Sequence, residues 1–538
     1  MSDYSRVRTP FVNMSFTPDV PSNALGPNEY NIGLNIETDV RGIKNVDGEQ
    51  NVLSAIPGTV FFVAGGFRSS NQWVYICATT QGKWYMVTSS GISNITPGVG
   101  GNPNVSLSGY SDNTNITSDW VGEVFFINDT INPPMYFGPN QTEIYLYDHA
   151  PNNYVWNYET TLGTTAVQAG FMRAYSSPNV GNILVAGNLT KTNGGTVTNY
   201  PTTIRWSQAF ANTGVPATWA PTYSNIANEQ EVAVRGPLID GFFLGANFYM
   251  CSYWDTIIMS PIAYQSSVAP VFSVAPFSKG RGLLNQNCWA NVDTVVYGVD
   301  ARDIWMFDGT QFTPLGNQRV KKYFYANLNP SYFDRVFVVN NSQKYQVEIY
   351  YPDLTSSGWC NKMISYRYDL QIWNAPKTVQ NACMGCESPV LTSGQFNLAS
   401  RCVTYAQGDT SGSQLVQTGI GTSFNGSAIN SLFQRDNIAM ADEKGPIPYS
   451  SKIYTHRLLP EIAGSGTINI TVGGSDSISQ NPWYGDAGTL VLGTGSPWVA
   501  TTQNNVRLAS IKVQSNDTTS AWNLTAMNWQ ITKTEDAF

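Results

Sequence analysis

Charge is the first scarcity in this sequence. Asp, Glu, Lys and Arg make up only 12% of it, about half the usual share. The balance is acidic, with 29 Lys and Arg against 37 Asp and Glu and a formal net charge of -8. A protein that grips nucleic acid needs clustered cations to displace counterions from phosphates, so tight DNA binding is disfavoured. Sliding contact is not, because a neutral or acidic wall holds phosphates weakly.

Histidine is nearly missing as well. Only His149 and His456 are present, far apart in the chain, so no local HExxH metal helix can be written. A His-based triad would have to be assembled in space from one lone imidazole. Both also read as ordinary polar residues, one after an aromatic strand and one inside a strand. A GxxxxGK[ST] phosphate loop and a GxGxxG turn after a strand are absent too. No cofactor is implied.

The seven cysteines are odd in number and irregular in spacing, which is not a disulfide framework. Cys383 and Cys386 form the one tight pair. With Cys360 and Cys402 they could make a four-sulfur zinc site, but such sites usually bring a second short pair. Buried free thiols are therefore expected, and no metal. The N-terminal MSDYSRVRTPFVNMSF lacks the apolar stretch of a signal peptide, which predicts assembly in the cytoplasm of the producing cell. Asn-x-Ser/Thr triplets at Asn94, Asn115 and Asn469 then reflect composition rather than glycosylation. An uncharged run, Thr256 to Ser278, is broken by Pro261, Pro270, Pro276 and Gln265, so no membrane span is expected.

Carboxylates are the remaining route to catalysis, since a glycosidase needs only a pair with separated pKa values. Asp293, Asp300, Asp303 and Asp308 are the densest set. Each also has a turn explanation: Asp308-Gly309 is a hairpin dipeptide, and Asp300 and Asp303 flank the preceding turn. Turns are the favoured reading, and the chain is expected not to be an enzyme.

What replaces charge is Asn, Ser, Thr, Gly and aromatic residues. β-Branched and aromatic side chains suit a pleated surface, and Gly and Asn tolerate positive φ in tight turns. An all-β protein follows, and 538 residues exceed what one core usually serves.

One supersecondary pattern recurs: an apolar strand, a polar turn, a second strand rich in Trp, Tyr or Met, then a Gly-containing turn. It is clearest at 73 to 98, WVYICATTQGKWYMVTSSGISNITPG, and at 295 to 316, VVYGVDARDIWMFDGTQFTPLG. Weaker copies begin at 124, 183, 248 and 347, so successive starts lie 51, 59, 65, 47 and 52 residues apart. Four-stranded propeller blades repeat at about 40 to 50 residues, with insertions adding to that. The expected architecture is a β-propeller of about six irregular blades over 59–400, preceded by a Pro-rich extended arm at 1–58 and followed by a β-sandwich-like domain at 401–538. Stacked sandwiches of ordinary hairpins would give similar signals. The best helix candidate is Gln318 to Leu328, with Val320, Tyr323 and Phe324 on one face. Arg319, Lys321 and Lys322 beside them are the candidate contact for DNA or an acidic partner, although three charges on a short helix are also what a solvated face carries.

The order of segments carries a family resemblance. TTIRWSQAFANTGVPATWAP, GPLIDGFFLGANFYMCSYWDTIIMS and the stretch from KGRGLLNQNCWAN to VFVVNNSQKYQVEIYYP resemble the tail nozzle, or packaged-DNA stabilisation, proteins of short-tailed bacteriophages. NEYNIGLNIETDVRGIKNVDGEQNVLSAIPG and SKIYTHRLLPEIAGSGTINITVGG look like the same family. The match lies in segment order and aromatic placement, not in a chemical motif. It implies a structural subunit of the virion tail that forms a homohexameric ring, retains the genome and then conducts double-stranded DNA outward. It also implies an adaptor (head-to-tail connector) ring and tail fibres or tailspikes as partners. The family offers no catalytic residue to carry over. A receptor- or carbohydrate-binding tail component is the alternative, since aromatics on a β scaffold can stack on sugars, and a propeller glycosidase using Asp300 or Asp303 is a further one.

Overall fold

A computed structural model describes residues 4–69, 72–98, 107, 109–111, 114–149, 152, 154–177, 180–262, 271–408, 413–442, 445–485, 488–493, 499–500 and 505–535. Among them the regular structure is almost entirely β, in antiparallel sheets apart from one short parallel pair, Ser15–Phe16 with Glu29–Tyr30, and there is one α-helix, Lys321–Asn327. Val320 and Phe324 are fully buried beneath that helix, as the spacing predicts. Asp19 accepts hydrogen bonds from its first free N–H groups, those of Lys322 and Tyr323, at 2.7 and 2.8 Å. Among the described residues no helix is long and apolar enough to cross a membrane. In the uncharged run, Asp255–Pro261 and Phe272–Lys279 are paired strands, and residues 263–270 lie outside the described residues.

Five separate four-stranded sheets follow one another, each a meander in sequence order, spanning 60–94, 117–146, 164–231, 238–279 and 289–314. An eight-stranded sheet then holds two more meanders. Phe337–Asn341, Gln346–Tyr351, Cys360–Arg367 and Ile372–Trp373 make the sixth. Lys377–Thr392, Gln395–Gln407, Ser413–Thr418 and the N-terminal strand Glu49–Ile56 make the seventh. The repeat starts at 73, 124, 183, 248, 295 and 347 all fall in second strands of meanders one to six. The second strands of the first and second meanders, Gln72–Thr79 and Val124–Asn128, are buried along nearly their whole length. Strands covered on both faces read as unbroken apolar runs instead of alternating ones.

The expectation of six units misses the seventh. Its second strand begins exposed, at Gln395 to Arg401, and its last strand comes from the other end of the chain. The residue 400/401 boundary also falls inside Gln395–Gln407, and the chain leaves this sheet only after Thr418.

First strands of consecutive meanders touch in a closed circuit. The first and second meet where Gly66 lies against Trp120: a Cβ on Gly66 would come within 2.3 Å of the indole, so only glycine fits. Met172 N–H donates to Thr117 Oγ1 at 3.0 Å between the second and third. Arg173 joins Asp240 between the third and fourth, and Trp289 Nε1 donates to Asp240 between the fourth and fifth. Val338 N–H reaches Asn287 O, just before the fifth, at 3.0 Å. The sixth and seventh pack directly on one another. Cys383 Sγ lies 3.3 Å from Val60 O, closing the seventh onto the first.

Two larger sheets follow, of seven and six strands, built mainly from 429–535. Their inner residues, among them Leu458, Ile470, Ile511, Val513, Trp522 and Trp529, belong to one continuous core that also reaches the fifth and sixth meanders. The N-terminal segment supplies strands to both: Ser5–Pro10 and Gly42–Asn45 pair with Ala521–Glu535, and Ile32–Leu34 pairs with Ile429–Ile438.

Candidate functional site

The sequence GFMRAYS places one charged residue, Arg173, in the strand Thr164–Ser177, whose other residues are uncharged. Its partner Asp240 sits in the neighbouring LIDGFF strand and is fully buried. The guanidinium grips the carboxylate with two bonds, Nε to Oδ1 at 2.8 Å and a terminal nitrogen to Oδ2 at 2.6 Å. It also donates to Ser118 O at 2.9 Å and Asn287 Oδ1 at 2.8 Å. Asp240 accepts further bonds from Asn287 N–H, Trp289 Nε1 and Gly241 N–H. Four meanders are thus tied at one ion pair whose bonding capacity is used, the arrangement in which a buried charge pair is tolerated.

Asp119 stands at the edge of this knot, 3.9 Å from Arg173, and accepts from Ala174 N–H at 2.7 Å. Burial pushes its carboxyl up to about 6; Arg173 and the Ala174 N–H oppose this, and Asp240 adds to it.

Beside the knot, residues of the first, sixth and seventh meanders and of the segments just before the second, fifth and sixth surround a cavity of about 40 Å³ lined by Phe61, Asn115, Gln286, Arg335, Trp359 and Met384. That is room for a few waters at most. Asn115 donates to Gln286 at 3.0 Å, Gln286 to Gly170 O at 3.3 Å, and Asn287 to Ile116 O at 2.9 Å. The centre of the circuit is stoppered by amides, an ion pair and aromatic rings.

The carboxylates singled out in the sequence are spent on structure. Asp300 Oδ1 accepts from Arg302 and Asp303 N–H groups at 2.6 and 2.8 Å, and Oδ2 pairs with Arg281 at 3.1 Å. Burial raises its pKa against those bonds. Asp303 takes Ile304 and Gly316 N–H groups and pairs with Lys321 at 3.6 Å. Asp308 closes a turn on Thr310 and Gln311, and Asp293 occupies a turn at φ 54°. Asp293 and Asp308 line one open groove with Asn247 and Asn291, while Asp300 and Asp303 face inward.

The three cations divide. Lys321 turns to Asp303, whereas Arg319 and Lys322 are exposed and Arg319 bonds Gln371 O. His149 lies on a groove with Asp148, Tyr154 and Tyr158; His456 bonds Thr532 at 2.7 Å and stands edge-on to Tyr4. Six cysteines are buried and Cys386 is half-buried, all as free thiols. Cys383 donates to Ala406 O and Cys360 to Arg335 O, and burial pushes Cys383 up to about 12. Among the described residues no group of three His, Cys, Asp or Glu is placed to hold a metal.

Arg173, Asp240, Asn287 and Asp119 were not singled out from sequence. The available signal was a charged residue inside an apolar strand of a chain poor in charge.

On the outside, the third meander extends beyond its own sheet. Gly181–Asn193 and Thr196–Trp206 are joined by Gly194–Gly195, both at positive φ (53° and 86°), the requirement of a two-residue hairpin turn. The fourth strand covers only Thr203 to Trp206, so Thr196 to Tyr200 is paired on one side alone.

No family model and no curated protein matches this sequence. Among solved structures, a crystal structure of the computationally designed Ika8 protein aligns with a TM-score of 0.34 and 10% identity, over 68% of this chain and 99% of that one.

Proposed function

We propose that this chain is a structural subunit of a short-tailed phage nozzle, a seven-bladed propeller carrying a β-sandwich, and that it works as a homohexameric ring whose channel holds and then conducts the genome. The observation that carries the reading is the stoppered centre. A duplex has no path through one subunit's circuit of sheets, where Asn115, Gln286, Arg335 and Trp359 line a space of about 40 Å³ and the Arg173–Asp240 pair lies beside it. A passage therefore has to lie between copies.

Scarce charge fits such walls and the contacts between neighbours, because interface cores are depleted in charge and enriched in aromatics. A closed ring leaves no terminal surface to propagate filaments. The commitment of Asp300 and Asp303 to main-chain N–H groups and to Arg281 and Lys321 argues against the glycosidase reading. Exposed Arg319 and Lys322 are the proposed contact with an acidic partner ring or with passing DNA.

Native mass measurement of the purified protein, with and without particles, tests this. Six copies in a closed ring at the tail are expected. A stable monomer that never joins a particle refutes it.

A further inference from the structure

The unpaired length of the third meander's hairpin supplies what a ring contact needs. Thr196 to Tyr200 reads TVTNY, with no charged residue, no bulge and a high share of β-branched side chains. Its register to Gly181–Asn193 is regular, Thr196 opposite Asn193 through Tyr200 opposite Leu189. With Asn193 and Thr196 as the pair that closes the two-residue turn, hydrogen bonding alternates along the ladder, so Val197 and Asn199 turn their N–H and C=O groups away from the sheet. Val197 and Tyr200 are 61% and 40% exposed.

Exposed edges usually carry something that stops another strand from adding: a charge, a proline, a bulge, or very short length. Other strands here do. Phe272–Lys279 carries Pro276 and Lys279, Phe312–Pro314 is three residues long, and the Lys377–Thr392 hairpin has a bulge between Pro389 and Val390. Thr196 to Tyr200 has none of these within its length; Pro201 and the register shift between Gly187 and Leu189 bound it on the side nearer the sheet. Its nearest cation, Lys191, is already held by Glu159 and Glu229 at 2.6 and 2.7 Å, so the edge offers no free charge to phosphate or to an acidic chain. An uncharged, Asn- and Thr-rich strand fits a partner of the same composition, and this chain is such a partner.

We infer that Thr196 to Tyr200 is a strand-addition edge that pairs with a strand of a second copy of this chain. The inference rests on the ring reading only for the number of copies that assemble; the pairing itself needs two.

Two measurements on the full chain test it. A ring contact joins unlike surfaces of neighbouring copies, so the outward N–H groups of Val197 and Asn199 should gain hydrogen-exchange protection only when copies associate. Val197→Lys with Asn199→Lys places like charges in the pairing edge and should weaken self-association roughly tenfold or more, while the melting temperature of the isolated subunit stays unchanged. Loss of the ring in the double-lysine variant, with retention in Val197→Thr, supports the edge. An intact ring in the double-lysine variant, or Val197 and Asn199 left unprotected in the assembled protein, overturns it and leaves the ring reading standing. Association with that protection but without a closed ring upholds the edge and sinks the ring. A wild-type protein that stays monomeric removes both.

Discussion

Asp240→Asn is the sharpest perturbation of the central knot. The carboxylate accepts five hydrogen bonds, from two Arg173 nitrogens, Asn287 N–H, Trp289 Nε1 and Gly241 N–H. Oδ1 receives two of these donors and Oδ2 three, so an amide nitrogen at either position faces donors only. Arg173 is meanwhile left buried, with Asp119 at 3.9 Å as its sole acidic neighbour among the described residues. Removing one partner of a buried pair costs about 3–5 kcal/mol, and that loss is expected here. Replacing both, as Arg173→Met with Asp240→Leu, should cost clearly less than the two single changes summed, because neither member of the pair is then left buried alone. Equilibrium urea unfolding gives the energies, and hydrogen exchange of Leu238–Leu244 localises them, since a protein of many sheets need not unfold in one step. A single variant within ~1 kcal/mol of wild type with normal exchange protection, or strictly additive changes, refutes the account of the knot.

Two further outcomes concern the same structure. Asp119 titrates near 6 in the fold, above its unfolded value, so this carboxyl holds a proton between about pH 4 and 6 that the unfolded chain has released. Its contribution to stability should therefore fall as pH rises through that window and level off above it; Asp119→Asn should remove that contribution, read as the difference in melting temperature between variant and wild type against pH. Glu49 is fully buried, pairs with Lys377 at 2.8 Å and accepts from Tyr405 at 2.6 Å, so Glu49→Ala should cost about 3–5 kcal/mol. It should also release Glu49–Ile56 selectively in hydrogen exchange, and uniform exchange across the seventh meander would count against that strand being the one held.

The legible part of the fold was the part sandwiched between neighbours. Trp73 to Thr79 and Val124 to Asn128 lie under cover on both sides, so hydrophobicity alone marks them. First strands were harder, because Gly66 and Gly241 make room for crowded rings, and Asp119, Arg173 and Asp240 interrupt the apolar pattern for the sake of one another. No local rule pairs residue 173 with residue 240. The turn reading of Asp300, Asp303 and Asp308 came from dipeptide chemistry that acts within a few residues, which is why sequence could carry it. Arg319, Lys321 and Lys322 looked alike in sequence, yet only Lys321 lies within reach of Asp303, a difference set by tertiary placement. The seventh meander depends on Glu49–Ile56 finding Ser413–Thr418, a partnership across more than three hundred residues that leaves no periodic trace.

That partnership, with Ser5–Pro10 lying beside Ala521–Glu535, sets a timetable for biosynthesis. A strand near the front of the chain cannot dock until its mate, made hundreds of residues later, has left the ribosome. Pairings of such long sequence separation are slow to form, and until then unsatisfied strands stand open to misassembly. A nascent chain of this protein should consequently lean on holding chaperones, and its first strands should stay unprotected until translation has run through Ala521–Glu535.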